Sequence, residues 1–200
     1  MVKKRSRNNS RAQSGKTKTK TTTAKRKTPT SSATQSRNTS ASRLPEDRAL
    51  RDHVLFLLKG GGAHVTFADT IKDWPLQFAG IKVAKFPHTA WMLLEHLRLA
   101  QLDILEFSRN SKHVSPKWPE GYWPESAAPP NDGAWKSSIE ACEKDLLAMQ
   151  KMVSDQKVDV LAKIPWGDGQ TILREALIMA DHNAYHLGQL MMLRKSLGWE

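Results

Sequence analysis

Asp181-His182-Asn183-Ala184-Tyr185-His186-Leu187-Gly188-Gln189-Leu190 sets two histidines four residues apart in a run whose apolar residues recur at helical spacing. Four residues on an α-helix advance the chain by roughly 6 Å and return to the same face. Two imidazoles so placed can chelate one metal ion. The apolar pattern continues on both sides, through Ile172, Ala176, Leu177, Met179 and Ala180 before it and Met191 and Leu193 after it. It predicts a helix from near Thr171 to Leu197, with Gly198 as the stop.

Three further helices are expected upstream. One runs from Asn131 or Asp132, either of which can cap it, to Gln156, with Trp135, Ile139, Cys142, Leu146, Met149 and Val153 as its apolar stripe. Another spans His88 to Arg109 and carries Trp91, Leu94, Leu97, Ile104 and Leu105. The first begins at Pro45 or Glu46, where proline suits an opening turn and acids suit the positive end of the dipole, and stops at Gly60-Gly61-Gly62. A short helix from Thr66 to Trp74, stopped by Pro75, lies between the first two. Residues 111–133 form a long Pro-, Trp- and Gly-rich connection, read either as a lid or pocket wall or as tryptophans plugging one end of the fold. Ile164-Pro165-Trp166-Gly167-Asp168-Gly169-Gln170 reads as a turn with a small hairpin. Four long amphipathic helices imply an all-α fold, an antiparallel four-helix bundle with long connections.

Charge divides the 200 residues. Residues 1–45 hold 13 Lys/Arg and no acid, so residues 46–200 hold 31 − 13 = 18 Lys/Arg against 20 Asp/Glu, a net −2. Residues 1–43 lack aromatic residues and almost all aliphatic ones, and are expected to form a disordered basic tail before a domain at 44–200. The tail can be a solvated extension, an arm for nucleic acid or another polyanion, or a transit peptide; alternating Lys16-Thr17-Lys18-Thr19-Lys20 gives it no apolar face. Cys142, the single cysteine, excludes an internal disulfide framework and makes a cytoplasmic location the expectation; it reads as a small core residue. No apolar run has the length of a membrane span, and no apolar core follows the basic N-terminus as a secretory signal requires.

By themselves, His182 and His186 are either ligands or packed core histidines. His96, among Leu93, Leu97 and Ala100 on another helix, brings a third inward-facing imidazole. Three nitrogens with one position open are the arrangement of catalytic zinc sites. His53, His64, His88 and His113 are weaker candidates, on a first-helix face, in loops or at helix ends. Asn183 follows His182 where the His-Glu-x-x-His protease pattern needs its glutamate, and no phosphate-binding or nucleophile-elbow motif occurs. Candidates for catalytic or supporting roles are Glu175 and Asp103, each seven residues from a histidine, with Gln189 and Tyr185 beside His186.

Phe86-Pro87-His88-Thr89-Ala90-Trp91-Met92-Leu93-Leu94-Glu95-His96-Leu97-Arg98, followed by His182-Asn183-Ala184-Tyr185-His186-Leu187-Gly188-Gln189-Leu190, resembles the DinB-like (DinB/YfiT) superfamily over about residues 46–199. The resemblance implies a four-helix bundle holding a divalent metal, nickel or zinc, with His96, His182 and His186 at the three ligand positions. It further implies thiol S-transfer or isomerisation with a low-molecular-weight thiol, or metal-dependent hydrolysis, on an unknown small molecule, and a homodimer. The tail and the loop at 116–130 stand outside the family pattern. The other class of function is a non-catalytic, stress-associated metal-binding protein whose tail binds a polyanion.

Overall fold

The computed structural model describes the backbone of residues 40–199 and the side chains of residues 45–199. The expectation of a disordered tail falls on residues that, up to 39, lie outside those described. The described part is all-α: α1 (Ser40–Lys59), α2 (Phe67–Ile71), α3 (Ala90–Arg109), α4 (Asp132–Ser154) and α5 (Ile172–Ser196), with short 3₁₀ turns at Leu76–Phe78 and Glu120–Tyr122. The hairpin expected near residue 166 is a single antiparallel bridge, Lys163 to Thr171.

Side-chain caps fix the starts of three long helices. Thr89, Asn131 and Thr171 each accept a hydrogen bond from the main-chain N–H three residues on, at 3.2, 3.0 and 3.1 Å. Each satisfies a donor that the first helical turn leaves unpaired, worth about 1 kcal/mol. The cap at Thr89 moves the start of α3 past His88, which then belongs to the preceding loop. Gly198, at φ 72°, closes α5.

Other boundaries shift for local reasons. Helix α1 begins at Ser40, so Pro45 lies within it, at the loss of one main-chain hydrogen bond. Helix α2 stops at Ile71 because Asp73 turns to φ 53°; Trp74 is buried beyond the helix rather than in it. Helix α4 ends at Ser154, two residues early.

Helix α3 packs on α4 and α5, α1 packs on the same two helices, and α2 lies on α5. Two apolar clusters fill the interior. One joins Phe67, Trp74, Trp91, Leu93, Leu94, Leu97, Trp135, Leu187 and Leu190. The other joins Val54, Leu58, Leu105, Met149, Val153, Ala176 and Met179. Burying each large aliphatic side chain contributes roughly 1.5–3 kcal/mol. On α4 the inward face is rotated from the expected stripe: Ser138 and Asp145 are buried, while Ile139 and Leu146 are half-buried. The cause is polar. Ser138 Oγ donates to Glu95 on α3, and Glu95 also takes Arg98 Nη2 at 2.8 Å.

Candidate metal centre

Helices α3 and α5 bring His96, His182 and His186 together, and one ligand atom from each lies within 4.8 Å of the others. His96 and His186 are buried and His182 is half-buried. The ring centroids are 4.5–4.9 Å apart. The spacing of four thus puts both α5 rings on one face, and α3 supplies the third ring from mid-helix.

The hydrogen bonds of the outer nitrogens determine what the inner ones offer. His96 Nδ1 lies 2.8 Å from the carbonyl oxygen of Tyr122. A carbonyl only accepts, so Nδ1 carries the proton and Nε2 presents a lone pair. His186 Nδ1 donates in the same way to Gln189 Oε1 at 2.7 Å. His182 Nε2 faces His96 Nε2 at 3.0 Å, and its own Nδ1 is buried without a partner among the described residues. With His96 Nε2 a lone pair, that 3.0 Å contact is met by a proton on His182 Nε2, donated to His96, or by a metal ion between the two nitrogens.

Electrostatics keep these rings neutral. His182 is pushed down to about 3, first by burial and then by His186 and His96. His186 falls to about 4, first by burial, with the Gln189 bond opposing and His96 and His88 adding. Burial also lowers His96, against the bond to Tyr122. Neutral imidazole is the form that binds metal.

The connection between α3 and α4 forms one wall of the centre. Trp123 stacks on His96 with centroids 4.0 Å apart and planes 5° apart, and His88 stacks on Trp123 at 4.0 Å and 18°. Gly121 permits the turn that presents Tyr122 and Trp123: a Cβ there would lie 2.6 Å from Pro116 Cβ. The sequence does not single out Tyr122 and Trp123 as site residues, and it makes His88 only a weaker candidate ligand. The signal for the first two is the pair of aromatics in a Pro-rich loop; a carbonyl contact has none.

The other candidates are placed as follows. Gln189 orients His186. Tyr185 is exposed and meets His186 edge-on at 4.8 Å. Glu175 is buried and binds Arg174 Nη1 at 2.5 Å; no bond joins it to the histidines. Asp103 accepts from Tyr122 OH at 2.6 Å and pairs with His113 Nε2 at 2.7 Å, one residue removed from His96. The Tyr122 phenol is pushed up to about 12, first by burial and then by Asp103, and so stays a donor. His53 is exposed. Cys142 is buried, and its thiol is pushed up by that burial, as suits a packing residue.

A groove of about 740 Å³ between Leu76, Gly80 and Pro129 contains none of the three histidines. No helix among the described residues is long and apolar enough to cross a membrane. No protein-family model, no curated protein and no solved structure matches the chain.

Proposed function

We propose that the chain is a metal-dependent enzyme of the DinB-like kind, built as an antiparallel four-helix bundle from α1, α3, α4 and α5, with His96, His182 and His186 holding a divalent ion, zinc or nickel. The observation that carries this is the inner face of the centre. His96 and His186 have their Nδ1 protons committed outward, and the Nε2 atoms of His96 and His182 stand 3.0 Å apart with no other partner. Two nitrogens bound to one ion at about 2.1 Å lie no more than about 4.2 Å apart, a limit that pair already meets. When bound, such an ion with an open position lowers the pKa of a water or thiol there and makes it a nucleophile at neutral pH.

The chain's own residues do the rest. Tyr122 and Gln189 hold the tautomers, as the outer partners of metal-binding histidines do. Trp123 covers the face of His96 and limits water on that side. Tyr185, exposed beside His186, is the hydroxyl placed to meet a substrate. The reaction class is thiol transfer or hydrolysis on a small molecule.

Elemental analysis of the purified full chain tests the centre. About one zinc or nickel per chain is expected, and a His96→Ala/His182→Ala/His186→Ala variant that kept its metal would sink the assignment. Loaded protein is then offered a thiol with electrophiles and, separately, esters and amides; turnover in one arm names the class. The basic segment, with 13 Lys/Arg and no acid in residues 1–45, we assign to polyanion contact. Nucleic-acid binding that weakens steeply with salt and is lost on deleting residues 1–39 is the expected result.

A further inference from the structure

Asp103 looks like a base because it is seven residues from His96 and partly buried. Its two oxygens are both committed: Oδ1 pairs with His113 Nε2 at 2.7 Å and Oδ2 accepts from Tyr122 OH at 2.6 Å. His113 stands just after α3, where its N–H bonds Asn110 at 3.0 Å, and Tyr122 ends the 3₁₀ turn before Trp123. One carboxylate therefore ties both feet of the loop 113–122 to α3. Between the feet the loop is open to solvent, with Val114 84% and Trp118 71% exposed. It has little apolar burial of its own to hold it, so the clamp at its base sets its position.

The far foot carries the consequence. The Tyr122 carbonyl takes His96 Nδ1 at 2.8 Å, and Trp123, the next residue, stacks on the same ring. We infer that Asp103 is a positioning residue: by clamping His113 and Tyr122 it seats the carbonyl that fixes the tautomer and orientation of His96. Its effect passes through one side chain and one carbonyl, and it acts on no substrate. Outer partners of this kind typically change metal affinity 10–100-fold when removed. Only the affinity part of the inference rests on the metal reading; the tautomer part concerns the metal-free chain.

The test uses the full chain and two readouts. Long-range ¹H–¹⁵N spectra of the metal-free protein report the His96 tautomer, and chelator competition reports zinc affinity. In the wild type, His96 is expected as the Nδ1–H form. Asp103→Ala and Tyr122→Phe are each expected to mix the two tautomers and to weaken zinc about tenfold or more, with Asp103→Asn, which keeps an acceptor, recovering part of both. Tyr122→Phe removes one hydroxyl and keeps the ring and carbonyl, so it carries the test if Asp103→Ala does not fold. A folded Tyr122→Phe variant with an unchanged His96 tautomer would overturn the inference. A wild type that shows the tautomer and its loss but binds no zinc would overturn the metal reading and leave the clamp standing.

Discussion

Two buried polar assemblies in this molecule differ in what they leave unused. Arg51 on α1 is 6% exposed, and all three of its guanidinium nitrogens donate: Nη1 to the carbonyls of Val153 and Asp155 at 2.7 and 3.1 Å, Nη2 to Val158 at 2.7 Å, and Nε to Asp47 at 2.8 Å. It closes the C-terminal end of α4, where four carbonyls lack helical partners. His96 and His186 are buried to a similar degree and His182 is half-buried, yet only the Nδ1 atoms of His96 and His186 are tied down; the Nε2 atoms of His96 and His182 face each other, and His182 Nδ1 has no partner among the described residues. A closed polar assembly holds a fold together. An open one at comparable burial is costly unless a ligand completes it. Burial alone would not have told them apart; the count of unspent donors and acceptors does.

The comparison breaks most visibly at the metal. His186→Ala should take bound metal from about one per chain to near zero, whereas Arg51→Met should leave it unchanged; elemental analysis of both variants reads this directly. Equal metal content in the two would erase the distinction.

Acid comes next. His182 and His186 have folded values of about 3 and 4, below the ordinary 6.5. Below 6.5 the unfolded chain takes up protons that the folded chain refuses, so stability is present above that pH. It is lost as pH falls from about 6.5 through 4 to 3. The metal-free protein should therefore melt progressively lower over that window. A His182→Ala/His186→Ala variant should show a flatter profile, and an identical slope in that variant would remove the histidines as its cause.

Arg51→Met should cost about 3 kcal/mol, from carbonyls left unpaired at the end of α4, and lower the melting temperature by roughly 6–12 °C. Urea titration measures it; a change below about 1 kcal/mol would mean that water serves those carbonyls equally well. Gly121→Ala has the smallest effect. The added Cβ meets Pro116, the turn must shift, and zinc affinity is expected to fall about tenfold with little change in melting. A large loss of stability instead would make this loop part of the fold's support rather than of the centre.

Much of this was readable from the residues. The cap at Asn131, the start near Thr171 and the apolar periodicity located the long helices, because these signals are local, whereas the expectation of a start at His88 misses the cap at Thr89. The pair His182 and His186 was visible because a helix converts a spacing of four into one face. Where the reading slipped, a non-local partner decided. Ser138 is turned inward by Glu95 from another helix, and Arg51, read as nothing, is buried by carbonyls more than 100 positions away. Asp103 and Glu175 were placed near the histidines by helical arithmetic, which knows the face of a residue and not its bonding partner.

The sequence by itself determined that the described part is helical, where its helices lie within a few residues, and which three side chains are equipped to bind a metal. Those follow from backbone propensity, capping and period, which neighbours along the chain dictate. Only the tertiary structure decided that α3 and α5 face each other so that His96 meets His182 at 3.0 Å, and that the main chain of Tyr122 sets the proton on His96. A carbonyl is the same in every residue, so its use as a hydrogen-bond partner leaves no mark in the sequence; it exists only once packing has brought the loop to the ring.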